Sequence, residues 1–222
     1  MGRVDLRGYR RRGRSGHRRR LTITRLSGDR GQTLPIYIWL TAILLFAAFA
    51  FFAFAQAASA RNGAQSAADA AALAAAQDSR DELMTGLGKA IGAGDGWLDW
   101  LAGDKFTGDG ARGAADDLAA GNDARVVGFG PSEVNGYPGY WAKVQSNGTV
   151  GDSVIPGTES KHATAEATAV IEPRCDVAPS ADPGKVVEFD CDGGNSFDFD
   201  PDDFEVGDLP DPSVLFSVHL AD

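Results

Sequence analysis

Residues Leu34–Ala55 read LPIYIWLTAILLFAAFAFFAFA, 22 positions without a charge. The uncharged interval is wider still, because no Asp, Glu, Lys or Arg occurs between Arg30 and Arg61. A helix rises about 1.5 Å per residue, so this stretch covers roughly 33 Å, the thickness of a hydrocarbon core. Pro35 falls in the opening turn, where a missing N–H is tolerated. Tyr37 and Trp39 lie near the same end, as aromatic side chains do at a membrane interface. A soluble helix apolar on every face needs a large core around it. The rest of this chain is too polar and Gly-rich to supply one, so a single transmembrane helix is expected over 34–55.

Charge is divided across that run. Residues 1–34 hold eleven Arg against Asp5 and Asp29, and the remainder holds ten basic and 29 acidic residues, so the two parts carry +9 and −19. Basic residues beside a span stay cytoplasmic. Residues 1–33, with few apolar positions and no helical period, read as a disordered basic cytoplasmic tail, and the C-terminal part as extracytoplasmic. Arginine clusters also bind phosphates, but charges that directly abut a span read as a topology signal that touches lipid headgroups, and no nucleic-acid partner is expected. The pair Arg19-Arg20 is a faint twin-arginine pattern. Small residues after the run allow a cleavage site at Ala55-Gln56-Ala57 or Ala58-Ser59-Ala60. Apolar cores of signal peptides run about 7–15 residues, shorter than this one, so a retained anchor is the expectation.

Beyond the run, residues 56–85 are rich in helix formers, with Gly63 the one helix-weakening residue before Gly86. They read as an Ala-rich helical extension, and a helix continuous from Pro35 to Ala76 would be roughly 63 Å long. Ala57, Ala64, Ala68, Ala71 and Ala75 fall on one side of it, and such a small-residue stripe permits close helix packing, against the chain's own domain or a partner helix. Homo- or hetero-oligomers follow from the second alternative. Asp69 interrupts the stripe and reads as solvated or hydrogen-bonded.

The segment Asp29-Arg30-Gly31-Gln32-Thr33-Leu34-Pro35, the apolar run, and Gln65-Ser66-Ala67-Ala68-Asp69-Ala70-Ala71-Ala72-Leu73-Ala74-Ala75-Ala76 together resemble the N-terminal region of TadE-like and TadG-like proteins of Flp (tight-adherence) pilus assembly systems. The resemblance covers about residues 28–80. It implies a membrane-anchored accessory protein of pilus assembly or secretion, whose partners are other assembly proteins. One departure matters. Pseudopilins of the TadE type are processed after a Gly with a Glu five residues on; here Ile36 stands at that distance from Gly31, and the first Glu of the chain is Glu82. A TadG-like protein with a retained anchor fits better than a processed pseudopilin.

Residues 86–222 read as an extracytoplasmic α+β domain with an acidic C-terminal part. Glycines punctuate 86–113, around a short apolar helix at Trp97–Leu101, and a second weak helix is expected over Ala111–Ala120. Period-two patterns predict strands at Arg125–Phe129, Tyr140–Gln145 and Ala163–Ile171, with further candidates at Lys185–Phe189 and Val214–Leu220. Asn135-Gly136 and Asn147-Gly148 supply turn chemistry. The fold class is therefore α+β: a long N-terminal transmembrane helix extending outward, then a small mixed domain with an antiparallel sheet. Cys175 and Cys191, in an oxidising compartment, would close a disulfide. Asp190, Asp192, Asn195, Asp198 and Asp200 alternate beside Gly193-Gly194 as weak calcium-ligand candidates, but no Glu closes the loop as in an EF-hand. A solvated acidic loop is the plainer reading, and no metal or cofactor is expected. No nucleophile–base–orienter set, P-loop or nucleotide fingerprint occurs, so catalysis is not expected. The leading function is a single-pass accessory protein of a Flp/Tad-type system acting through helix packing and protein contacts. The alternative is an anchored or secreted ligand-binding ectodomain that takes calcium.

Overall fold

The computed structural model describes residues 33–93, 96–149, 160–177 and 187–221. The basic tail through Gln32, and Lys185–Val186 at the start of one expected strand, lie outside the described residues. The chain divides into two units at Phe46/Ala47. In the first, the described residues all belong to α1 (Thr33–Ala93). Every large apolar side chain from Leu34 to Phe46 is exposed there, Trp39 at 71%.

In the second unit α1 continues, with Phe49, Phe51, Phe52 and Phe54 exposed and burial setting in at Ala64. The helix does not stop at the glycines that punctuate the sequence from Gly86; it runs through Gly86, Gly88 and Gly92 to Ala93. Packing explains this. A Cβ at Gly86 would lie 2.2 Å from the Trp100 ring, and one at Gly88 3.2 Å from Val206, so these glycines are seats for other side chains rather than breaks. Tertiary contact outweighs the roughly 1 kcal/mol that glycine costs a helix.

Two short helices follow, α2 (Trp97–Leu101) and α3 (Ala111–Gly121). Three long strands come next: β1 (Ala124–Val134), β2 (Tyr137–Thr149) and β3 (His162–Pro173). The chain then forms β4 (Cys175–Asp176), β5 (Val187–Cys191) and β6 (Asn195–Phe199). It closes with α4 (Pro212–Leu215) and β7 (Phe216–Leu220). One sheet has the order β1-β2-β3-β7 and the other β4-β5-β6, with antiparallel neighbours throughout. The fold is α+β with antiparallel sheets, as the alternation in the sequence implied.

Two local expectations are corrected. Val214 and Leu215 lie in α4 rather than in a strand, because Asp211 caps that turn by accepting from the Ser213 N–H and Pro212 occupies its first position. Asn147-Gly148 is not a hairpin turn but part of β2, beside an irregularity in its pairing with β3; the Asn147 N–H donates to the Asp123 carbonyl at 2.8 Å. Asn135-Gly136 does form the β1–β2 turn, both residues at positive φ (55° and 87°) as a two-residue hairpin of this kind requires.

The core is built from small side chains. Ala67, Ala68, Ala71, Ala72, Ala75 and Ala76 of α1 join Ala111, Ala115 and Ala119 of α3, and Ala142 and Ala169 of the sheet, in one buried cluster. The four-residue spacing on α3 and the two-residue spacing of Tyr140, Ala142 and Val144 are the periods of a helix and a strand that each bury one face. Large residues enter lower on α1, where Leu83, Leu87 and Ile91 join Trp97, Phe189 and Phe216.

Candidate functional site

The alanine stripe is divided by the fold. Ala64, Ala68, Ala71 and Ala75 are buried against the chain's own domain, each at 2% exposure or less, whereas Ala57 is exposed. Of the two packing partners the stripe allows, the domain takes these four positions. Asp69 accepts a hydrogen bond from the Gln65 side chain at 2.8 Å.

Lower on α1, Glu82 fastens the segment between α2 and α3. Its Oε1 accepts from the Thr107 N–H at 2.8 Å and from the Thr107 hydroxyl at 3.0 Å, and its Oε2 accepts from the Gly108 N–H at 3.0 Å. Desolvation works to raise the Glu82 pKa, but these three donors outweigh it and hold the carboxyl below its ordinary range. Asp78, one turn earlier, is shifted the other way, by desolvation first and then by the charges of Asp81 and Glu82. Ser79 between them is the one buried polar side chain among the described residues, and its hydroxyl donates to the Tyr140 hydroxyl at 3.0 Å. Burial pushes the Tyr140 phenol up. Asp78, Asp81, Glu82, Lys89, Trp100 and Asp109 line an open groove here. Of its carboxylates, Glu82 positions the loop through Thr107 and Gly108. Sequence reasoning missed Glu82, Ser79 and Tyr140, whose partners stand 25 to 61 residues away.

The acidic alternation has a plain structural source. On β5, Val187, Phe189 and Cys191 are buried while Glu188 and Asp190 are exposed; on β6, Phe197 and Phe199 turn towards the core while Asp198 is exposed. Phe189 sits 5.6 Å from Phe197 and 6.0 Å from Phe199, centroid to centroid. The alternate Asp residues are thus the wet face of a hairpin with an aromatic dry face. Four of the five candidate ligands have another partner: Asp190 accepts from the Ser196 hydroxyl, Asp192 faces Arg174 at 3.4 Å, Asn195 donates to the Asp192 carbonyl, and Asp200 accepts from the Asp202 N–H, while Asp198 stands opposite Glu188 on the exposed face. Among the described residues no three His, Cys, Asp or Glu side chains converge on a metal position. Cys175 and Cys191 stand opposite each other on β4 and β5 and are joined by a disulfide.

These features define a class: a protein in which one helix, long and apolar enough to cross a membrane, continues into a small disulfide-bonded α+β domain. Residues 31–78 match the family model described as putative Flp pilus-assembly TadE/G-like, so the resemblance carried by the apolar run and the Ala-rich segment is borne out over that stretch. No curated protein matches the chain, and no solved structure does.

Proposed function

We propose that this chain is a single-pass membrane accessory protein of Flp/Tad-type pilus assembly or secretion, with residues 1–33 cytoplasmic, 34–55 in the bilayer, and the Ala-rich extension and α+β domain outside. The observation that carries this reading is the continuity of α1. Its charge-free, exposed apolar part passes within one helix into the alanines buried by the domain, and the family match spans both parts. The protein acts as a structural component. The anchor holds the domain at the membrane surface, and contacts to other assembly proteins come from its exposed faces, since the fold itself buries Ala64, Ala68, Ala71 and Ala75. Alkaline extraction of membranes carrying the full chain tests the anchor: retention in the pellet is expected, and full release would overturn it. Crosslinking in a cell that carries a Flp-type assembly system tests the role. Recovery of the secretion ATPase's membrane platform or of a second TadE/G-like protein is the expected result.

A further inference from the structure

Just beyond the apolar run, the second unit forms a cavity of about 610 Å³. Phe54, Ala57, Ala58 and Arg61 of α1 line it on one side, and Lys161 and His162 at the start of β3 on the other. No carboxylate is among its described lining residues. That is unusual here, because the chain after residue 34 carries 29 acids against ten bases. Elsewhere in the domain Arg80, Lys105, Arg112, Lys143 and Arg174 each face a carboxylate within 3.5 Å. Arg61 and Lys161 have no ion-pair or hydrogen-bond partner among the described residues. The His162 ring is fixed beside them, its Nδ1 2.9 Å from the Ser146 carbonyl and 3.2 Å from that of Gly148.

We propose that this cavity binds the phosphate of an anionic phospholipid headgroup, with Arg61 and Lys161 as its cationic donors and Phe54, Ala57 and Ala58 against the glycerol and upper acyl region. The inference rests on the anchored reading of residues 34–55. Position supports the lipid as the source of the phosphate. Arg61 is the first charge after the run and lies six residues past Ala55, about 9 Å along the helix, which is headgroup depth. Side chains on a helix lean towards its N-terminus, so the Arg61 stem runs back along Phe54–Ala58 towards the bilayer, the arrangement of a snorkelling arginine. Arginine forks onto phosphate oxygens and lysine adds a point charge. Without the fold Arg61 would be a lone interfacial charge; the turn into β3 brings the Lys161 ammonium to it from a hundred residues away.

The test uses the full-length chain purified in detergent and titrated with mixed micelles containing phosphatidylglycerol, or phosphatidylcholine alone. The readout is the number of bound phosphatidylglycerol molecules counted by native mass spectrometry. Wild type should prefer phosphatidylglycerol. The Arg61→Gln/Lys161→Gln variant should lose that preference by on the order of tenfold. Arg61→Lys should retain most of it, and Lys143→Gln, which removes a cation paired to Glu166, should leave it unchanged. Both substituted positions are exposed, and an unaltered melting temperature verifies the fold. Equal preference in wild type and double variant overturns the site. Displacement of the lipid by inorganic phosphate at matched concentration also overturns it, by assigning the cavity to a free anion. Because the assay is done in micelles, failure of the bilayer anchor would appear separately, as release on alkaline extraction.

Discussion

Glu82 carries a disproportionate share of the contact between α1 and the segment that follows α2, since one carboxylate takes three donors from two consecutive residues. Glu82→Gln keeps the shape but offers one acceptor oxygen, which leaves the Thr107 or the Gly108 N–H facing an amide. A loss of about 1 kcal/mol is expected in urea denaturation at neutral pH. The pH dependence follows from the sign of the shift. The folded pKa lies below the ordinary value of 4.5, so the stabilisation is complete above that value and disappears as pH falls through the folded one. Asp78 is raised instead, so its charging opposes folding as pH rises, and Asp78→Asn should stabilise modestly at neutral pH. Wild type should therefore lose stability between neutral and acid pH more steeply than Glu82→Gln; parallel curves would show that Glu82 is not the titrating contact. Gly139 sets a steric limit of another kind. Opposite Val170 on β3, a Cβ there would lie 2.0 Å from the Ala169 carbonyl oxygen, and backbone cannot step aside as a side chain can. Gly139→Ala should cost about 3 kcal/mol or more, read as a lowered melting temperature.

At the scale of elements, the Ala-rich half of α1 is a core helix whose side chains have been reduced to methyl groups. It shares its buried cluster with alanines of α3 and of the sheet. Ala71→Leu inserts three carbons where no space remains and should destabilise by about 1–3 kcal/mol, whereas Ala57→Leu, at an exposed position, should be near neutral. If both variants melted alike, the burial of this face would be wrong. The stripe itself was legible, because helical spacing of small residues is a local pattern. Which surface it meets was not, because that depends on strands more than fifty residues downstream. The same distinction accounts for the glycines. Gly86 and Gly88 read as breakers when neighbours alone are considered, and become seats once Trp100, Val206 and Leu209 arrive. The Asp alternation was ambiguous for a related reason: a ligand loop and an exposed strand face can share period two, and the phenylalanines between the acids decide for the strand. The hairpin hangs on the Cys175–Cys191 bridge, whose removal by paired Cys→Ser substitution should cost about 3 kcal/mol in the chain-entropy account. Calcium added to the full chain should leave its melting temperature unchanged, and a clear upward shift would restore the acidic loop as a ligand site.

At the scale of the whole molecule, one uncharged interval separates charge of opposite sign. The segment before it holds eleven arginines in 34 residues and the part after it is strongly acidic. Arginines within about 15–20 residues of a span oppose translocation, whereas acids contribute little to orientation. Arg18, Arg19, Arg20, Arg25 and Arg30 all lie in that window. Arg61 on the far side is a single opposing charge, and five against one should fix the N-terminus inside. The disulfide agrees, since it belongs to an oxidising compartment. The expected outcome in intact cells, after the outer barrier is opened, is digestion of an epitope on the C-terminal domain and protection of one on the basic tail. N-terminal sequencing of the membrane-bound product should return a terminus before Leu34. A soluble product beginning near Ala58 would instead mean cleavage after the apolar run. The domain would then keep only the lower part of its core helix, from a point six residues before Ala64 enters the core, and so could still fold. Such a product would retain Arg61, Lys161 and His162 but lose the bilayer beside them, which is why the position of the N-terminus decides both the anchor and the setting of the phosphate cavity.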